Sequence, residues 1–221
     1  MTAGLLAIDT SGTNALVALG AEDGSLVAER RWQAGYRHGE ELLARIDEIL
    51  TTAGMTVSDL SGVVVGTGPG AFTGLRVGLA TAKALARGLD IPIAGVATCD
   101  ALLSGTPLAA GMQAVLLLPA GPSDRVLVVA GEAVLVKGGD EPGLPGNAVL
   151  VAVDLPARAP GEAIDRGFAA EAGLAAALLR LGAERIAAGG DDVARLVPEY
   201  VTLPRGVAAV KGEVRWSHDP K

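Results

Sequence analysis

Two short polar stretches carry the residue types that could do chemistry, and each begins where an apolar run stops. The first, Asp9-Thr10-Ser11-Gly12-Thr13, follows the run 5–8. Carboxylate and hydroxyl side chains in a tight turn bond readily to nearby backbone N–H groups. The second runs Gly66-Thr67-Gly68-Pro69-Gly70-Ala71-Phe72-Thr73-Gly74-Leu75-Arg76. Its glycines admit backbone angles closed to other residues, and Pro69 stiffens the turn. A turn of this kind aims the N–H groups of the following helix outward, where an anion or an acidic partner could sit. Arg76 lies nearest the loop and is the best placed cation, with Lys83 and Arg87 further along the same face. Hydrolytic chemistry has little material. His38 and His218 are the only histidines and Cys99 the only cysteine. No paired-histidine metal motif and no Ser-His-Asp order is present.

The elements that must position these stretches are legible from hydrophobic period and turn residues. Runs 5–8, 15–19 and 26–30, separated by Asp-Thr and Glu22-Asp23-Gly24 turns, predict an antiparallel three-strand meander. A helix opening at Gly39-Glu40-Glu41 carries Leu42, Leu43, Ile46, Ile49 and Leu50 on its apolar face and stops at Gly54. Val63-Val64-Val65 predicts a buried strand, the glycine turn follows, and a helix runs over 72–87. A strand near 91–96, irregular at Pro92, and a helical turn over 99–103 complete this half. The second half repeats the first at an offset of 110, which aligns 16–19 with 126–129. Strands are expected at 115–118, 126–129, 133–137 and 149–153, then a linker over 156–161 and a helix over 170–181. One more turn is expected over 191–195.

The helix over 72–87 has an unusual face. Gly74, Gly78, Ala82 and Ala86 recur every four residues, so one stripe bears almost no side chain. Each interior glycine costs about 1 kcal/mol relative to alanine, so the stripe needs a compensating close approach. That approach is either to the chain's own sheet or to a helix of another chain.

Composition narrows the function classes. Half of the 221 residues are apolar but only 3% are aromatic, and the net charge is −7. Residues 1–100 hold 7 basic and 11 acidic groups, the remainder 11 and 14, so neither half is a basic module. Strong direct binding to nucleic acid is not expected, because neutralising phosphates needs clustered Lys and Arg. One cysteine, no signal-like start and no apolar run of membrane length together predict a cytoplasmic protein that contacts no membrane.

A meander with an Asp-Thr turn, repeated in a second lobe, resembles the actin, sugar-kinase and chaperone-ATPase superfamily. The match is closer still to one family within it. Ala7-Ile8-Asp9-Thr10-Ser11, His38-Gly39-Glu40 and Gly68-Pro69-Gly70-Ala71-Phe72-Thr73-Gly74-Leu75-Arg76-Val77-Gly78 resemble the TsaB (YeaZ) family, over about residues 4–103. The resemblance implies an α/β, actin-like fold with ribonuclease H-like lobes. They would be an N-terminal lobe over 1–103, a smaller degenerate lobe over 104–197, and a tail over 198–221. It also implies a non-catalytic subunit in the formation of threonylcarbamoyladenosine, a modified base beside the anticodon of certain tRNAs. Its partners would be the catalytic paralogue TsaD and the ATPase TsaE, with a homodimer when alone and tRNA contacted only indirectly.

The family's pairing surface maps to the helices over 40–53 and 72–87. Leu42, Leu43, Ile46, Gly74, Leu75, Gly78, Leu79, Ala82 and Lys83 are therefore the expected interface residues. No metal and no independently bound cofactor are expected. A nucleotide or other anion shared at the partner interface would meet Asp9, Gly68, Gly70, Thr73 and Arg76. The superfamily places a magnesium-supporting carboxylate at the position of Asp9, but here Ser11 stands where active kinases usually carry glycine, crowding a phosphate. Phosphoryl transfer needs metal and charge clamps from both sides, and no second Asp-Gly turn opens the other lobe. The competing class, an autonomous small-molecule kinase or ATPase, is distinguished by nucleotide turnover in the isolated chain.

Overall fold

The computed structural model describes residues 4–34, 38–104, 106, 108–129 and 131–200. The expected tail therefore lies outside the described residues from 201 onward, and with it His218. The chain forms β1 (Gly4–Asp9), β2 (Asn14–Ala21), β3 (Leu26–Gln33), α1 (His38–Thr52), β4 (Leu60–Gly66), α2 (Phe72–Leu89), β5 (Ile93–Val96) and α3 (Thr98–Ser104). It continues with β6 (Gln113–Pro119), β7 (Arg125–Val129), β8 (Glu132–Val136), β9 (Ala148–Ala152) and α4 (Gly161–Ala187).

The first sheet has the order β3-β2-β1-β4-β5, and the second β8-β7-β6-β9. β1 pairs antiparallel with β2 and parallel with β4, as β6 does with β7 and β9. The second sheet thus repeats the first without a counterpart of β5, a two-lobed actin-like architecture with a reduced second lobe. The repeat is not a rigid offset. Asp9 pairs with Leu16, but Pro119 pairs with Arg125, so the second hairpin turn is shorter by one residue. β5 begins later than expected because Pro92 has no N–H to donate; it contributes only its carbonyl, which accepts from the Val63 N–H at 3.0 Å.

Three apolar clusters hold the layers. One lies between the sheets and contains Leu5, Leu16, Val64, Leu116, Val126, Leu174 and Leu178. A second joins α1 and α2 to the far face of the first sheet through Leu42, Ile46, Ile49, Ile8, Val63 and Leu79. The third lies on the far face of the second sheet around Val115, Leu117 and Leu155.

The largest departure from the sequence reading is α4, which has 27 residues rather than the twelve of 170–181. It starts at the expected linker, with Pro160 as its N-cap, and contacts strands of both sheets as well as α3. Its glycines, which argue against helix by propensity, are what let it approach. A Cβ at Gly167 would stand 1.8 Å from the Ala152 carbonyl oxygen, and one at Gly182 would stand 2.3 Å from a methyl of Val64.

These contacts separate two glycines of one helix. Gly173 is exposed with open space around its would-be Cβ. We expect Gly173→Ala to raise stability by up to about 1 kcal/mol through helix propensity. Gly167→Ala should lower it by about 1–3 kcal/mol, because a backbone carbonyl blocks the new methyl. Chemical denaturation of both variants measures the two signs.

Candidate functional site

Asp9 ends β1 and is fully enclosed, with 1% of its surface exposed. Its Oδ1 accepts from the Ser11 N–H at 2.9 Å and the Ser11 hydroxyl at 2.7 Å. Oδ2 accepts from the Thr98 hydroxyl at 2.6 Å. Thr98 Oγ1 in turn accepts from the Gly68 N–H at 3.2 Å, and the Thr98 N–H donates to the Gly68 carbonyl at 2.6 Å. One buried carboxylate thus ties the end of β1, the start of α3 and the glycine loop together. Burial pushes the Asp9 carboxyl above its ordinary range, while the hydrogen bonds from Thr98 and Ser11 pull the other way.

The glycine loop is held by the same residues. The Ala71 N–H donates to the Ser11 carbonyl at 2.8 Å, so the loop's N–H groups at Gly68 and Ala71 are not free for an anion. Gly68 has φ +105, and a Cβ there would fall 2.4 Å from the Glu199 carbonyl oxygen; both facts require glycine. Glu199 donates its N–H to the Thr67 carbonyl at 2.7 Å, and Tyr200 bridges to Gly70. The Tyr200 ring lies 4.8 Å from that of Phe72, and the Arg76 guanidinium sits 3.9 Å over the Phe72 ring while donating to the Tyr200 hydroxyl at 3.1 Å. Sequence reasoning placed Arg76 near the loop but missed Tyr200 as its companion.

Between the lobes lies a cleft of about 530 Å³. Asp9, Ser11, Gly70, Phe72, Asp154 and Glu171 are among its walls, and no Lys or Arg is among the described residues lining it. Of the five residues expected to meet an anion at a partner interface, Asp9 and Gly70 line this cleft and Gly68, Thr73 and Arg76 do not. Glu171 is pushed above the ordinary glutamate range by burial and then by the Asp154 carboxylate. Asp154, Glu171 and Thr98 were missed from sequence. The repeat gave the one available signal for Asp154, which follows β9 as Thr67-Gly68 follows β4. Among the described residues no three His, Cys, Asp or Glu side chains are grouped to hold a metal. Cys99 is buried, and its thiol is pushed up to about 12 by burial and by the Asp100 carboxylate, which keeps it protonated at neutral pH.

The bare stripe of α2 faces inward. Gly74, Gly78, Ala82 and Ala86 are all buried, the last two inside the cluster with Ile8, Val63 and Val65. The Gly74 carbonyl accepts from the Thr10 hydroxyl at 2.7 Å, and a Cβ on Gly78 would stand 2.2 Å from Thr10 Oγ1. The second-chain reading of this stripe is therefore corrected: the backbone that approaches it is the chain's own β1 and its turn. Leu42, Ile46, Leu75 and Leu79 are buried as well. Of the nine expected interface residues, Leu43, with 61% of its surface exposed, and the half-buried Lys83 reach the outside. The outer face of α2 is instead lined by Thr73, Arg76, Ala80, Ala84 and Arg87.

Sheet order, cleft and repeat define the class as a two-lobed protein of the actin-like ATPase superfamily. The family model described as "TsaD: tRNA N6-adenosine threonylcarbamoyltransferase" matches residues 32–184, well over half of the chain. Over 101 residues the chain is 37% identical to the tRNA threonylcarbamoyladenosine biosynthesis protein TsaB of Escherichia coli, covering 46% of this chain and 43% of that protein. Over 98 residues it is 39% identical to the protein of the same name from Bacillus subtilis, covering 44% and 42%. YeaZ from Pseudomonas aeruginosa superposes with a TM-score of 0.61 at 20% identity, over 90% of this chain and 99% of that one. The chain belongs to the TsaD family and, within it, to the TsaB (YeaZ) group. The stretches matched by sequence span less than half the length of these curated relatives.

Two outcomes follow from the buried groups. Gly78→Ala should destabilise by about 1–3 kcal/mol, outweighing its helix-propensity gain. In a Thr10→Ala background that cost should shrink, which a double-mutant cycle by thermal unfolding would read. For Asp9, the folded-state pKa lies above the ordinary 3.8. Its contribution to stability is therefore fully present below 3.8 and lost as pH rises through the folded value. Asp9→Asn should lack that decline when stability is followed against pH.

Proposed function

We propose that this chain is the non-catalytic scaffold subunit of the cytoplasmic tRNA threonylcarbamoyladenosine machinery, pairing with the catalytic paralogue TsaD. The carrying observation is the cleft: it is walled by carboxylates with no Lys or Arg among the described residues that line it, and Asp9 is engaged in three bonds within the chain. Phosphoryl transfer requires cations or metal arranged around the transferred group, so such a cleft is poorly suited to autonomous kinase or ATPase chemistry. Similarity to proteins named for tRNA threonylcarbamoyladenosine biosynthesis supports the alternative, a subunit that acts by association.

The surface proposed for pairing is the outer side of α1 and α2. Leu43 stands out from α1, while Ala80 and Ala84 present small side chains at the four-residue spacing of one helix face, with Lys83 beside them. Small side chains let a second helix come near, and an exposed leucine offers apolar area to bury. The same face would serve a homodimer when TsaD is absent, and the ATPase TsaE would join the pair. tRNA would be reached through TsaD.

Co-purification with TsaD tests this reading. Leu43→Asp and Ala80→Arg alter exposed positions only, so both variants should fold as the wild type while binding of TsaD weakens about tenfold or more, some 1.4 kcal/mol. Unchanged association in both variants would reject the surface. ATP hydrolysis by the isolated chain clearly above background would reject the non-catalytic reading.

A further inference from the structure

The turn between β1 and β2 already contains an anion, and it belongs to the other half of the chain. Asp154, just beyond β9, reaches across the cleft so that its Oδ2 accepts from the Thr13 N–H at 2.7 Å. Two further features are shaped around this contact. Asp154 holds a left-handed backbone, φ 56, a conformation that most residues disfavour and that Asp tolerates better than most. Gly12 leaves room for the carboxylate, since a Cβ there would stand 2.9 Å from Asp154 Oδ2. Nearby contacts also cross between the lobes. Asn14 Nδ2 lies 3.5 Å from Glu171 Oε1, and Arg31 Nη2 donates to the Ala172 carbonyl at 3.2 Å. With Ser11 N–H donating to Asp9, two N–H groups of this turn are engaged by carboxylates of the chain itself.

We propose that Asp154 is a tethered oxyanion: its carboxylate fills the β1–β2 turn and shuts out the phosphate groups of free ligands. A backbone N–H in a tight turn is a ready anion donor, and a carboxylate shares the charge and acceptor geometry of a phosphate oxygen. Tethering gives the internal group a high effective concentration, so a phosphate in solution competes poorly for the same N–H. The contact also links the two halves, so admitting an anion means parting them at this point. This device holds whether or not the chain pairs with TsaD.

Asp154→Gly is the informative variant, because glycine accepts the positive φ while removing the carboxylate. The Thr13 amide is followed by NMR in the full chain, by hydrogen exchange and by titration with inorganic pyrophosphate. In the wild type, exchange should be slow and millimolar pyrophosphate should leave the resonance unmoved. In Asp154→Gly, exchange should quicken about tenfold for the lost hydrogen bond, and pyrophosphate should shift the resonance saturably. If Asp154→Gly does not fold, Asp154→Ala carries the same comparison, since it removes the acceptor from the turn and alanine already holds φ 58 at Ala157. An equal response to pyrophosphate in wild type and variant, or none in either, overturns the proposal.

Discussion

How near a helix can come to a sheet is the constraint on which this fold rests. With only 3% aromatic residues, its layers are filled by alanine, valine, leucine and glycine, residues small enough to let them approach. α2 meets β1 along Gly74, Gly78 and Ala82, close enough for the Thr10 hydroxyl to reach a helix carbonyl. α4 meets β9 at Gly167 and β4 at Gly182. Interiors are packed to near-crystalline density, so a methyl added at such a contact must displace something. Glycines that weaken the helices taken singly thus stabilise the assembly of helix and sheet.

That closeness also shapes the cleft. Because α2 presses on Thr10, the turn over 10–13 is held against the glycine loop, and Ser11 and Ala71 share a hydrogen bond. Asp9 is consequently shut away from solvent and bonded by Ser11 and Thr98 rather than presented to a ligand. Desolvation disfavours its charge, and the three donors offset part of that cost. The turn after β1 is in this way part of the internal framework. The walls facing it from the second lobe, Asp154 and Glu171, add negative charge rather than a clamp for it.

Much of this architecture was legible in the chain, because the period of apolar residues and the turn residues agree. The meander, the buried Val63-Val64-Val65 strand and the second-lobe repeat follow from local pattern, and the sheets are built on them. The direction of the α2 stripe was not legible: periodicity says which residues share a face, not what that face meets. The first half of α4 was hidden for a related reason. Gly161 read as the end of a linker and Gly167 lay ahead of the expected helix, and the approach of Ala152 explains why glycine stands at 167. Asp154 and Tyr200 were missed because each acts on a partner more than a hundred residues away in the chain, a pairing no local pattern records.

The placement of α4 has one more consequence. Its 27 residues back β1, β4 and β5 at one end and β9 at the other, so the sheet built first by the ribosome has no inner lid until α4 emerges. The N-terminal half, although richest in recognisable motifs, is therefore an unfinished body during synthesis, with Leu5, Leu16 and Val64 bare toward water. Its maturation waits on the C-terminal half, and the two halves are bound to share one fate under heat or proteolysis.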